Sequence, residues 1–149
     1  VDPITAFAVL AAVLAVATAI GVLLRRREGR VRHRAHDIAH VSAHSLGLDP
    51  ADVAFGETAT LLQFSTEYCT RCPAARRLLG AVADERPGVT HVDVDLTQRP
   101  HVARHYGVLQ TPTTLIVDGR GAVRGRIGGA PRRDDVIAEL DRLEEDARV

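Results

Sequence analysis

Hydrophobic positions fall into two regimes along this chain. Residues 4–24 are apolar throughout, interrupted only by Thr5, Thr18 and Gly21, and they carry no charge. That length matches the roughly 20 residues needed to cross a bilayer. The polar stripe that a soluble helix would show is missing. Asp2-Pro3 in front reads as an N-cap followed by proline at the first helical position. From residue 59 onward, short apolar runs alternate with helical periodicity. Residues 59–64 read as a buried strand, and 69–83 as a helix with Ala75, Leu78, Leu79 and Val82 on its apolar face. Arg86-Pro87-Gly88 breaks the chain, and 89–95 follows as a strand. Pro100 opens a short helix that closes at Gly107. Residues 113–117 and 122–127 form a hairpin around Asp118-Gly119-Arg120-Gly121. The last helix, 131–146, turns Val136, Ile137, Leu140 and Leu143 inward, with Asp134 and Asp135 complementing its N-terminal dipole. The order β-α-β-α-β-β-α predicts an α/β domain with a mixed sheet covered by helices on both faces.

Charge refines this picture at the N-terminus. The 19 basic residues are all arginine, and 19 acidic residues balance them, so nothing global points to nucleic acid or to acidic substrates. A signal peptide should begin with positive charge, yet Asp2 is acidic. The apolar run also continues without a cleavage boundary into Arg25-Arg26-Arg27, which reads as a stop-transfer end. A retained anchor is therefore favoured over a cleaved leader. Arg25, Arg26, Arg27, Arg30, Arg32 and Arg34 all follow the span, and no basic side chain precedes it. The positive-inside rule then predicts a single-pass protein of the plasma membrane with its C-terminal domain in the cytoplasm. The same arginines suit contact with anionic headgroups. With methionine absent, Val1 is expected to mark an alternative start codon, and the Ala/Arg/Val bias suits a GC-rich bacterial genome.

The expected organisation is an anchor over 1–24, an Arg/His-rich juxtamembrane linker over 25–57, and a folded domain over 58–149, with Asp49-Pro50 as the turn leading into it. The linker carries His33, His36, His40 and His44, the last three spaced four apart. On a helix that spacing stacks imidazoles on one face and suits a divalent metal. A His-rich solvated segment is the simpler reading. His101 and His105 read as solvated.

Candidate chemistry concentrates in Tyr68-Cys69-Thr70-Arg71-Cys72-Pro73, which holds both cysteines of the chain at a strand-to-helix junction. At i and i+3 on a helix the two sulfurs come near enough for a disulfide. A helix N-terminus at Cys69 favours its thiolate, and Arg71 adds positive charge, so Cys69 is the expected nucleophile. Cys72, one turn further on, is placed to resolve a mixed disulfide. Zinc would need four ligands, and no second cysteine pair exists, so a metal site would have to recruit histidine. A structural disulfide closing so short a loop would restrain little chain entropy.

The context of that pair carries a resemblance. Phe64-Ser65-Thr66-Glu67-Tyr68-Cys69, then His105-Tyr106-Gly107-Val108-Leu109-Gln110-Thr111-Pro112-Thr113, then Ile127-Gly128-Gly129 are similar to three landmarks of the thioredoxin family. Residues 58–149 thus resemble a thioredoxin-like fold preceded by one transmembrane helix, in the manner of membrane-anchored bacterial proteins of actinobacterial type. The resemblance implies a cis peptide before Pro112, with Thr111 offering main-chain hydrogen bonds to an extended substrate by strand addition. Tyr68 stands where tryptophan is usual and keeps an aromatic lid, and Thr70-Arg71 replace the usual Gly-Pro. Gln63 occupies the position of the family's buried carboxylate, and an amide cannot take a proton from Cys72. With Arg71, this predicts a more stable Cys69 thiolate and a less reducing couple than ordinary thioredoxin. His91 matches a lysine near that carboxylate; it reads as a surface residue at a strand start, or else as a proton carrier near neutral pH.

The resemblance implies a thiol–disulfide oxidoreductase acting through Cys69 and Cys72. Tyr68, Thr111 and Pro112 would bind substrate, and Arg71, Gln63 and His91 would tune the pair. Expected partners are a disulfide-bearing protein and an upstream thiol reductant, with no cofactor or resident metal beyond the redox disulfide. Three alternatives stand beside it, one of them a non-catalytic adaptor that only docks a membrane partner. A glutathione-dependent, glutaredoxin-like variant is suggested by Ile127-Gly128-Gly129 and Asp134-Asp135, although Pro131-Arg132-Arg133 intervene. A copper- or zinc-handling protein would join Cys69 and Cys72 to a histidine.

Overall fold

The computed structural model describes residues 2–27, 29–32 and 40–148, with the side chains of residues 26 and 27 left aside. The long helix α1 (Pro3–Arg27) is exposed over residues 3–25, with Ile4, Phe7, Leu10, Leu14 and Leu23 all facing outward. It is long and apolar enough to cross a membrane, a property that signal sequences share.

A five-stranded mixed sheet follows, in the order β1-β5-β4-β2-β3. Its strands are β1 (Val31–Arg32), β2 (Ala59–Ser65), β3 (Val89–Asp95), β4 (Thr113–Asp118) and β5 (Val123–Gly128). The β2–β3 pair is parallel, and α2 (Cys72–Asp84) makes the crossover between them. The β2–β4 and β4–β5 pairs are antiparallel. The interior strand β2 is buried along its whole length, as expected of a strand covered on both faces.

One face packs Leu61, Ile116 and Ile127 against Leu79 and Val82 of α2 and against Val136, Leu140 and Leu143 of α4 (Arg133–Asp146). The other face packs Leu62, Phe64 and Leu115 against Val102 and Tyr106 at α3 (Pro100–His105). The mixed sheet with helices on both faces therefore agrees with the periodicity of the sequence.

Residues 25–57 do more than connect. Val31 and Arg32 pair antiparallel with Ile127 and Arg126, which makes β1 the edge strand beside β5. Val41 and Leu46 are buried in the second core, and Ser45 Oγ meets the Tyr106 hydroxyl at 2.6 Å. Packing thus begins well before Asp49-Pro50. His33 and His36 lie outside the described residues. His40 is exposed and belongs to no helix, whereas His44 opens a 3₁₀ turn, His44–Leu46, that Gly47 ends at φ 66°. His40 and His44 therefore do not share an α-helical face.

Leu46→Ala is expected to destabilise the domain by about 2–4 kcal/mol, because the methyls leave a cavity in a closed core. Urea denaturation of the full chain in mild detergent measures this. A loss below about 1 kcal/mol would place the segment outside the cooperative unit.

Candidate active site

The cysteine-bearing turn grows out of the end of β2. Leu96 N–H donates to the Ser65 carbonyl, and Glu67 N–H donates to Thr97 Oγ1 at 3.0 Å. Thr97 is itself fixed by its hydroxyl and N–H, both donating to Asp95 Oδ1. Those two bonds hold the Asp95 carboxyl below its usual range. The loop after β3 therefore props the loop after β2.

Cys69 and Cys72 form a disulfide with Cα atoms 5.4 Å apart. The helix starts at Cys72, three residues later than the sequence pattern implies. Pro73 has no N–H to give the Cys69 carbonyl, so the helical ladder cannot reach back to Cys69. Its first rung here is Ala75 N–H to the Arg71 carbonyl. A turn, with Cys69 N–H bonded to the Thr66 carbonyl and Cys72 N–H to that of Cys69, brings the sulfurs together instead of a shared helical face. Cys72 is 2% exposed at the first helical position, while Cys69 is partly exposed ahead of the helix. The difference in access separates an attacking sulfur from a resolving one. Arg71, at the N-cap between them, is exposed.

The Thr111–Pro112 peptide is cis, as the resemblance implies. Its loop meets the cysteine loop through the Thr66 and Thr111 hydroxyls, 3.3 Å apart. Among the described residues no backbone hydrogen bond engages the Thr111 main chain, whereas the Pro112 carbonyl accepts from Gly129 N–H at 2.9 Å. Arg126 donates to the Tyr106 and Gly107 carbonyls at 2.8 and 2.6 Å and so ties the start of this loop to β5. Burial lowers the Arg126 pKa. Tyr68 is 84% exposed, with the Glu67 carboxylate at its hydroxyl holding the phenol above its ordinary range. Sequence reasoning passed over Leu109, which is 97% exposed on the Pro112 loop. An apolar side chain inside a Gly-Val-Leu-Gln-Thr-Pro loop was the available signal.

Beneath the pair, Gln63 is fully buried. Its Nε2 donates to the Cys72 carbonyl and its Oε1 meets His91 Nε2, each at 3.2 Å. Since Oε1 only accepts, His91 carries its proton on Nε2. The surface reading of His91 does not hold. The residue is half-buried, because the parallel register of β3 on β2 sets it diagonally beside Gln63. Burial lowers its pKa, with Asp93 opposing and Arg76 assisting. The arrangement links His91 to the resolving cysteine's backbone, not to its sulfur. His101 and His105 are exposed as expected. Among the described residues, no group of three or more histidine, cysteine or acidic side chains converges on a metal position.

A His with a depressed folded pKa binds fewer protons in the native state than when unfolded. Its neutral form supports the fold fully above the ordinary imidazole value of about 6.5, and that support is lost as pH falls below it. Wild type is accordingly expected to lose more stability than His91→Gln between pH 7.5 and 5.5 in urea titrations. Equal losses would contradict the buried neutral imidazole.

A dithiol–disulfide pair at a strand-to-helix turn, beside a cis-proline loop on a mixed sheet, defines a protein built for thiol–disulfide exchange. The thioredoxin family model matches residues 50–142, and the chain belongs to that family. It is 35% identical over 78 residues to the thioredoxin of Methanocaldococcus jannaschii, covering 52% of this chain and 86% of that one. It is 29% identical over 82 residues to the thioredoxin of Streptomyces clavuligerus, covering 55% and 77% respectively. Spinach chloroplast thioredoxin f shares the fold with a TM-score of 0.52 and 23% identity, over 60% of this chain and 79% of that one. Thioredoxin-2 of the malaria parasite gives 0.54 and 20%, over 60% and 87%. The chain is thus a thioredoxin-type protein-disulfide oxidoreductase with Cys69 and Cys72 as its CxxC pair. The matched residues begin after α1.

Proposed function

We propose that the chain is a membrane-anchored thiol–disulfide oxidoreductase whose redox domain lies on the cytoplasmic side of the plasma membrane. The observation that carries it is the unequal access of the bonded cysteines, with Cys69 partly exposed and Cys72 buried at the start of α2. In the reduced protein the Cys69 thiolate attacks a substrate disulfide, forming a mixed disulfide and expelling one substrate thiolate. The Cys72 thiolate then attacks Cys69 Sγ, which releases the second substrate thiol and leaves the Cys69–Cys72 disulfide. Two electrons have passed to the substrate, and an upstream thiol reductant restores them. Tyr68 and Pro112 flank the exchange. The unbonded Thr111 main chain supports docking of an extended substrate segment.

The anchor rests on the exposed apolar length of α1, and its orientation on the arginines that follow it. Cys72→Ser in membranes is expected to accumulate mixed disulfides through Cys69, and C-terminal reporter fusions to be active in the cytoplasm. Reporters active only outside would reverse the orientation, and absence of adducts would remove the exchange role.

A further inference from the structure

The exit of α1 is joined to the docking edge of the redox site through a single peptide. After Arg27, where α1 ends, Gly29 N–H already donates to the Gly128 carbonyl at 2.9 Å, and β1 pairs with β5 from Val31. Gly29 is buried at φ 78°, and a Cβ there would stand 2.4 Å from the Ala130 carbonyl oxygen. The junction is therefore built into the fold. On its other side the same Gly128-Gly129 peptide donates, through Gly129 N–H, to the Pro112 carbonyl at 2.9 Å. By standard backbone dimensions the Pro112 carbonyl lies about 8 Å from the Gly29 nitrogen and within roughly 15 Å of the end of α1. Arg30 and Arg32, both exposed, flank this junction just beyond Arg25.

We infer that α1, seated in a bilayer, holds the Thr111–Pro112 docking edge at the headgroup layer, so that the substrates are disulfides of membrane proteins lying close to the bilayer surface. This rests on the anchored reading above. A flexible linker would let the domain sweep a wide shell, as chain reach grows with linker length. Three residues, 28–30, followed by a hydrogen-bonded edge strand permit no such sweep. The site then meets disulfides that the membrane itself presents, and distant ones stay out of reach.

The test uses the full chain in vesicles of phosphatidylcholine and phosphatidylglycerol, with single-span peptides carrying a disulfide-closed loop. In one peptide the loop lies at the bilayer surface; in the other it sits beyond a helical spacer of about 30 residues, roughly 45 Å out. The surface loop is expected to be reduced at least ~10-fold faster. Inserting about 20 Gly/Ser residues after Arg27 is expected to remove most of that preference while leaving insulin reduction unchanged. Equal rates on the two peptides with the uninserted chain, or a preference that survives the insertion, would overturn the inference while leaving the anchored enzyme standing. Release of the full chain by alkaline carbonate would instead remove the anchored reading itself.

Discussion

Cys69→Ser is expected to abolish turnover of protein disulfides, a loss of about 10³-fold or more, measured as insulin reduction by the full chain in detergent. The reason is access. Cys72 is buried at the first helical residue, so its thiol cannot substitute for the missing nucleophile by meeting a substrate disulfide in line. Cys72→Ser is expected to fail differently, retaining the first attack and losing release. The two variants thus have equal steady-state defects and opposite adduct yields. Retention of substantial turnover by Cys69→Ser would assign the attack to Cys72 and contradict the burial argument.

The second large effect is expected at Gln63. Gln63→Asp replaces a buried donor to the Cys72 carbonyl with a carboxylate facing an acceptor. At neutral pH the unpaired charge is expected to destabilise the fold by about 2–4 kcal/mol. Burial raises the folded pKa of such an acid above its unfolded value of about 3.9, so the folded state binds the extra proton. The penalty is complete above the folded pKa and fades as pH falls towards the unfolded one. Urea denaturation at pH 8 and pH 5 should therefore show the gap to wild type closing at the lower pH. The same carboxylate would accept a proton from Cys72, which the native amide cannot do. In a glutathione buffer the wild-type couple is expected to be less reducing than ordinary thioredoxin, about −270 mV, with Gln63→Asp moving it towards that value. A wild-type potential at or below that of thioredoxin would contradict the role given to Gln63 and Arg71.

What the sequence discloses here follows the range of the forces involved. The strands and helices after residue 58 announce themselves because each buries a face through its own periodicity. The cysteine pair is equally local, although its spacing alone leaves metal and structural readings open and the Thr111-Pro112 context is what points to exchange chemistry. Non-local features are silent. β1 is two residues long in an arginine-rich stretch, too short for alternation, and exists only because β5 offers it an edge. Val41 and Leu46 are isolated apolar residues among Ser, Ala and His, and only the Tyr106 side of the sheet makes them core. His91 is half-buried through the register of β3 on β2, which no local pattern records. The late start of α2 was readable in principle, since Pro73 denies the Cys69 carbonyl its helical donor.

The central claim, that Cys69 is the attacking sulfur and Cys72 the protected one, is tested most directly by alkylation of the reduced full chain. Iodoacetamide is added across pH 4–10, and each modified cysteine is identified by peptide mass. The account predicts that Cys69 reacts first, while Cys72 stays protected by its burial at the start of α2. Equal reaction of both cysteines, or reaction at Cys72 first, would contradict it.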